Sequence, residues 1–463
     1  MLRKSLKILR RPLAAALLIG ATALPGRSET LADAMVDAYR HAALLDQNRA
    51  VLRAADEDVA TALAQLRPVV QWIAQHTYTD NDGIDLRSSS IALQAQITLY
   101  DWGRNAIAID IAKESVLATR AALVGVEQDV LLSAVQAYLD VTSAIEQVDL
   151  PQNSVRVIGQ EQKAATDRFE VGEITQTDVA QADAALAAAR ASLASAEGSL
   201  QVARESYLLA TGKMPGKLAP PPPTPKLPAN LAAARDIGQR THPSIEQARR
   251  QAAAAELGVA AAAAERNPQL TGTAAITRQR SNNNAMLDTR YGTNKTVSLE
   301  MSQTIYSGGR LPSAHRKAMA QRDSARAALL NVARQVNDAV GVAWAQIDVA
   351  RAQISSIDEQ IVAAQKAFEG VSEEATLGAR TTLDVLDAEQ SLLAARADKI
   401  TAQANLQLAH YQLLSAMGLL TVENLKLGIP TYDPSAYYNA VQDAPYTSRQ
   451  GESLDRVLRA IGK

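Results

Sequence analysis

Two stretches of this chain alternate apolar and polar positions with period two, and each is flanked by stretches with three-four spacing. Ile91, Leu93, Ala95, Ile97 and Leu99 alternate with Ala92, Gln94, Gln96, Thr98 and Tyr100. Val297, Leu299, Met301 and Ile305 alternate with Thr296, Ser298, Glu300, Ser302 and Thr304. Side chains on a strand point alternately to its two faces, so each stretch predicts a strand with one apolar and one polar face. Val69–Tyr78 and Gln269–Arg278 are the expected partners, across loops rich in Asn, Asp, Ser and Gly around 79–90 and 279–296. Strands of about ten residues match a tilted transmembrane β-strand. The alternation alone also fits a soluble hairpin packed on a helix.

After each second strand a Gly-Arg pair, Gly103-Arg104 and Gly309-Arg310, marks a switch to helix. From Arg104 to about Phe169 the strong breaker is Pro151, which predicts a helix on the order of 100 Å long with a kink at the proline. Its distal half carries a seam of Val155, Ile158, Gln162, Ala165 and Phe169. The following helix carries Val179, Ala182, Leu186, Ala189, Leu193, Ala196 and Leu200. Sustained three-four spacing predicts coiled-coil packing, and alternate Ala allows close approach. Val171-Gly172 and Leu377-Gly378 are the expected turns, because glycine takes the left-handed conformation that ends a helix.

The pattern occurs twice. Tyr100-Asp-Trp-Gly103-Arg104 returns as Tyr306-Ser-Gly-Gly309-Arg310, an offset of 206. That register also pairs Gly172, Thr175 and Asp178 with Gly378, Thr381 and Asp384. Upstream, 30–68 matches 230–268 at an offset of 200, so the length difference falls in the hairpin loops. The predicted organisation is a first repeat at 29–218, a proline-rich extended linker at 219–229, a second repeat at 230–420, and a C-terminal equatorial segment and tail at 421–463. Before the repeats, Arg3, Lys4, Lys7, Arg10 and Arg11 precede a short apolar run, Leu13 to Ala23. Residues 1–28 therefore predict a secretory signal peptide, cleaved after Ala23 or Ser28.

Composition narrows the function classes. The net charge of -2 gives no footprint for nucleic acid. Zero cysteines exclude disulfides, thiolate metal sites and a cysteine-linked lipid. The five histidines are scattered without metal or triad spacing, so neither an enzyme nor a metal or other cofactor is expected. Four strands cannot close a barrel, and lipid tolerates no open sheet edge, so a membrane reading requires several copies. Two copies give eight strands, a barrel filled by its own side chains; three give twelve and leave a lumen.

The order of elements resembles the TolC-like family of outer-membrane efflux and type I secretion channels, over roughly residues 29 to 425. The most specific parts are Arg168-Phe169-Glu170-Val171-Gly172 with Thr177-Asp178-Val179, and Leu377 through Ala388. The resemblance implies a mainly α fold with membrane β-strands, trimeric, its twelve-stranded barrel continuous with an α-helical periplasmic tunnel. It implies a place in the outer membrane, no catalytic residues, a periplasmic adaptor docked at the turn tips (Gly172, Thr175, Gly378, Thr381), and an inner-membrane ABC or proton-driven pump. It also implies a gate: Asp178 and Arg380 match a constraint pair, and Asp384 and Asp387 match carboxylate rings at the closed mouth. Ala375 departs from the pattern, where the family often has a tyrosine.

Simpler roles compete with the gate. Thr175-x-x-Asp178 and Thr381-x-x-Asp384 also fit helix capping boxes. Arg380 and Asp387 have Ile174 and Gln181 as counterparts, so the shared fold does not require their charges. Tyr100, Gly103, Arg104, Tyr306, Gly309 and Arg310 mark the barrel-to-tunnel junction, with aromatics at the membrane interface and glycine at the bend. The competing function is a periplasmic adaptor, which would carry one helical hairpin between β-rich modules.

Overall fold

The computed structural model describes residues 28–81, 84–283 and 288–441, together with Arg456. The expected signal peptide up to residue 27, and most of the chain after 441, lie outside the described residues. The first copy comprises α1 (Leu31–His41), α2 (Ala43–Ala64), β1 (Val69–Asn81), β2 (Ile84–Tyr100), α3 (Arg104–Glu170) and α4 (Gln176–Thr211). The second repeats the order as α5 (Leu231–Thr241), α6 (Pro243–Ala264), β3 (Gln269–Asn283), β4 (Asp288–Ser302), α7 (Arg310–Thr376) and α8 (Thr382–Ala416). A short α9 (Pro434–Val441) follows. Helix starts carry local signals. Thr30 and Asp33 form a capping box on α1, and Pro243 opens α6, where a missing N–H costs nothing.

The strands form one antiparallel sheet in the order β1-β2-β3-β4, so β2 and β3 join the two copies. Trp72, Leu93, Ile276 and Lys295 share a row on one face, next to the row Val70, Ala95, Ala274 and Val297. This face is apolar and open: Trp72 is 72% exposed and Val297 84%. The opposite face carries Gln71, Gln94, Gln96, Thr273 and Ser298. β1 and β4 each leave one edge unpaired among the described residues.

Two expectations need correction here. The strands run to 13, 17, 15 and 15 residues, well beyond ten, and they occupy most of the stretches expected as loops at 79–90 and 279–296. Backbone ladder bonds do not require apolar side chains, so polar runs such as Ser88-Ser89-Ser90 stay paired, opposite Thr77, His76 and Gln75. Conversely, β4 ends at Ser302, which leaves Ile305 outside the strand. The other reading, a soluble hairpin packed on a helix, does not fit: among the described residues Trp72, Leu93 and Val297 on the apolar face are left exposed.

α3 and α7 are each 67 residues long. At about 1.5 Å per residue each spans roughly 100 Å. Pro151 lies inside α3 without ending it. α3 packs on α4, α7 on α8, and α3 on α8, which gives a wall in the order α4, α3, α8, α7. On α4 the seam falls where spacing placed it: Ala182 and Ala189 are buried, and Leu186, Leu193, Ala196 and Leu200 are half-buried. The outer helices still expose apolar side chains, Val202 and Leu209 on α4 and Leu330, Val349 and Val362 on α7. Both the sheet and the helical wall therefore end in unfinished edges. Two hairpins and four strands do not match the adaptor alternative.

The core sits at the equator, where Met35, Tyr138, Tyr207, Ile347, Leu413 and Met417 pack together. Tyr138 donates to the carbonyls of Glu29 and Ala219, tying the first described strand-like segment to the start of the linker. Further on, Gln407 of α8 donates to the Pro222 carbonyl at 2.8 Å, which lays the linker along the wall. α9 packs on α2, with the Tyr437 hydroxyl donating to Glu57.

Candidate functional site

The two helical turns have the same construction. α3 ends with Gly172 at φ 82°, and α7 with Gly378 at φ 77°. The Glu173 N–H donates to the Arg168 carbonyl and the Gly172 N–H to Phe169, each at 2.9 Å. Ala379 and Gly378 make the same two bonds, to Glu374 and Ala375. This pairing closes the orphan carbonyls of a helix end, and the positive φ explains why glycine stands at both positions.

Each next helix opens with a threonine cap. The Asp178 carboxylate accepts from the Thr175 N–H at 2.9 Å and the Thr175 hydroxyl at 2.8 Å. Asp384 accepts from Thr381 at the same two distances. These bonds hold both carboxyls below the usual range, the backbone N–H contributing most. In both copies one carboxylate oxygen of the aspartate, Oδ2, makes the cap, and the group is ionised at the helix N-terminus, where the dipole favours it.

Arg380 and Asp387 are different. Arg380 Nε donates to Glu374 at 2.9 Å, bridging the turn from the end of α7. The glutamate raises the guanidinium above its ordinary value, and Asp384 adds to the effect. Arg380 and Asp178 are not paired within the chain: one goes to Glu374, the other to Thr175. Asp387 is exposed one turn into α8, on the side of Asp384. Ala375 is buried under the turn. Glu374 has Arg168 as its counterpart, so this charge reversal between copies was readable in the sequence and marks the partner that sequence reasoning missed.

A second missed residue is Glu389, two turns into α8. Its side chain is buried at the contact with α3, beside Ser154, which hydrogen-bonds it. Oε2 has no hydrogen-bond partner among the described residues. Burial pushes this carboxyl from 4.5 up to about 7, against smaller opposing effects of Ser154 and Arg156. Ile158, Ala189 and Leu386 pack nearby, and a groove of about 520 Å³ opens beside them along Pro151, Ser154 and Ser192. The counterpart of Glu389 is Asp183, an acid at the same place in the other copy. There the acid is exposed and accepts from Gln162 at 2.8 Å.

At the other end of the wall, Tyr100 and Trp102 stack edge to face at 4.7 Å where β2 becomes α3. Gly103 and Gly309 take φ 84° and 88°, the bend the sequence predicted. The Asp101 carboxylate accepts from the N–H groups of Gly103 and Asn105, which caps α3. Arg104 reaches into the other copy and donates to the carbonyls of Asn267 at 2.9 Å and Ala264 at 3.3 Å, at the end of α6. Arg310 is held less firmly, 3.7 Å from Glu265 on an exposed surface. Tyr306 is 88% exposed.

Among the described residues no group of His, Cys, Asp and Glu has the geometry of a metal site. What the chain offers is a sheet with a lipid-type face, two open edges, and a helical wall of about 100 Å. These define an outer-membrane exit duct completed by further copies. The chain belongs to the outer membrane efflux protein family, which matches residues 35–213 and 239–419. It is 33% identical to the outer membrane efflux protein BepC of Brucella suis, over 94% of this chain and 96% of that protein. It is 25% identical to the outer membrane protein TolC of Escherichia coli, over 95% and 93%. A crystal structure of CusC superposes with a TM-score of 0.75 at 20% identity, covering 85% of this chain and 92% of that one. The fold is a tandem repeat whose four strands contribute to a twelve-stranded barrel, and channels of this family are trimers that span the outer membrane into the periplasm. The family is one of channels.

Proposed function

We propose that the turns at 171–175 and 377–381 form the periplasmic gate of this channel, closed by charges of the second copy against Asp178 of the first. In a homotrimer the tips of three wall segments converge. Arg380 then exchanges its bond to Glu374 for Asp178 of a neighbouring subunit, which latches the mouth. Asp384 and Asp387 ring the axis and favour cations. The observation that carries this reading is the difference between copies. Both aspartates accept from their threonines at the same two distances, yet Arg380 and Asp387 replace Ile174 and Gln181. Capping accounts for what is shared and leaves these two charges unexplained.

The same tips, with Gly172, Thr175, Gly378 and Thr381, offer the docking surface for a periplasmic adaptor, which couples the duct to an inner-membrane ABC or proton-driven pump. Planar-bilayer recording tests the gate. Arg380→Ala and Asp387→Ala are expected to raise single-channel conductance, and Asp387→Asn to weaken block by multivalent cations. Unchanged conductance in both alanine variants would refute the latch, and equal block would refute the ring.

A further inference from the structure

The apolar face of the sheet changes character toward the hairpin tips. Three rows below the tips it presents Trp72, Leu93 and Ile276; one row on, Arg278 stands beside Ile91, and in the next Arg280 stands between Ser89 and Tyr291. Lys295 lies diagonally below Arg278 on β4. These cations share the face that meets lipid, not the glutamine- and threonine-lined lumen face.

Among the described residues no acid pairs with either arginine. Arg280 lies over the Tyr291 ring at 5.8 Å, and Arg278 has no hydrogen bond or ion pair with a described residue. The acids on the same face, Asp80 and Asp85, sit at the β1–β2 tip, where Asp85 accepts from the Tyr78 hydroxyl at 2.8 Å. Between the arginines and the tyrosine lies a pocket of about 320 Å³, lined by Ser89, Ile91, Arg278, Arg280 and Tyr291. Its floor is apolar and its rim cationic.

Height fixes what can fill it. The helices leave the sheet at its base, so the tips point away from the periplasm. Leu270 pairs with Tyr100 at the base, and Arg278 is eight residues further along β3. Arg280 is ten residues along, about 33 Å of strand at about 3.3 Å per residue, and a tilt of about 40° leaves roughly 25 Å of height, that of the apolar band of an outer-membrane barrel. Arg280 therefore stands at the outer headgroup level, with Arg278 about 5 Å below it, from where its long side chain reaches up to the same level. A planar guanidinium pair at that level matches a phosphate, and the apolar floor matches the first carbons of an acyl chain.

We propose that Arg278, Arg280 and Tyr291 form a site for a phosphorylated lipid headgroup of the outer leaflet, with its acyl chain laid on Ile91. Purified full-length protein in detergent is titrated with lipid A, with lipid A stripped of its phosphates, and with inorganic phosphate, and bound lipid is counted by native mass spectrometry. Lipid A is expected to bind about tenfold tighter than the stripped form, a difference of about 1.4 kcal/mol. Arg278→Gln combined with Arg280→Gln is expected to erase that preference while the heat-resistant oligomer persists. Should the double variant fail to assemble, Arg280→Gln alone reads the same ratio and is expected to lower it about threefold. Equal binding of the two lipids, or an unchanged ratio in the variant that assembles, overturns the proposal. So does displacement of lipid A by inorganic phosphate at equal concentration, which would mark a free-anion site.

Discussion

Glu389 sets a pH dependence that can be worked from its surroundings. The side chain is 5% exposed at the contact between α3 and α8, with one carboxylate oxygen unpartnered among the described residues. The groups facing it are Ser154, Arg156 and Glu161 of α3. Its carboxyl rises from 4.5 to about 7, a difference worth about 3 kcal/mol between its two protonation states. The protonated form is the one the contact tolerates. Below pH 4.5 the acid is neutral whether the contact is closed or open, and its full contribution to closure is present. As pH rises from 4.5 toward 7 the opened state loses the proton first, and the contribution drains away; above about 7 it is gone. Glu389→Gln removes the titration and keeps the shape. Hydrogen exchange, compared between parent and variant at the same pH, isolates the effect in peptides covering 150–160 and 384–392. At pH 8.5 the parent is expected to exchange on the order of 100-fold faster there, and at pH 5 only about fourfold. Equal exchange at pH 8.5 would show that the buried carboxylate is solvated in the assembled channel and would refute the reasoning.

Two further outcomes separate shared architecture from copy-specific chemistry. Thr175→Ala and Thr381→Ala should each cost about 1 kcal/mol by chemical denaturation, since the caps are built alike; unequal losses would show that one turn is held by something besides its cap. Arg104→Ala should cost about 2 kcal/mol by the same measure, because two carbonyls at the end of α6 lose a charged donor. Arg310→Ala should cost at most about 0.5 kcal/mol within one chain. If the two losses match in the assembled protein, Arg310 has found an equivalent partner on the next subunit.

Much of this architecture was legible because it rests on periodicity. The alternation at 91–100, the three-four seam at 179–200 and the offset of 206 each depend on many residues, and the structure keeps all three. Strand ends were not legible, since Ser88 to Ser90 pair through their backbones and carry no apolar signal. The glycine turns and threonine caps were readable because each answers a local backbone requirement. Glu374 and Glu389 were not found, because partnership with Arg380 across a turn and burial against α3 are tertiary facts. Comparison of the copies would have exposed Glu374, which stands opposite Arg168, but not Glu389, whose counterpart Asp183 is also an acid.

The pairing of β2 with β3 bears on when this chain can finish folding. Each long helical hairpin is made of neighbours in sequence and can form as it emerges. The middle of the sheet cannot: Gln279 and Ser88 bond across 191 positions. Until the second copy is made, β1 and β2 are a lone hairpin with both edges and an apolar face bare, a marginal and sticky object in water. Loop closure over that distance is slow. The helical hairpins can thus form early, and the barrel is the last part to be committed. That order leaves its most aggregation-prone surface waiting for two other chains and a membrane, which makes escort between synthesis and insertion part of what the topology demands.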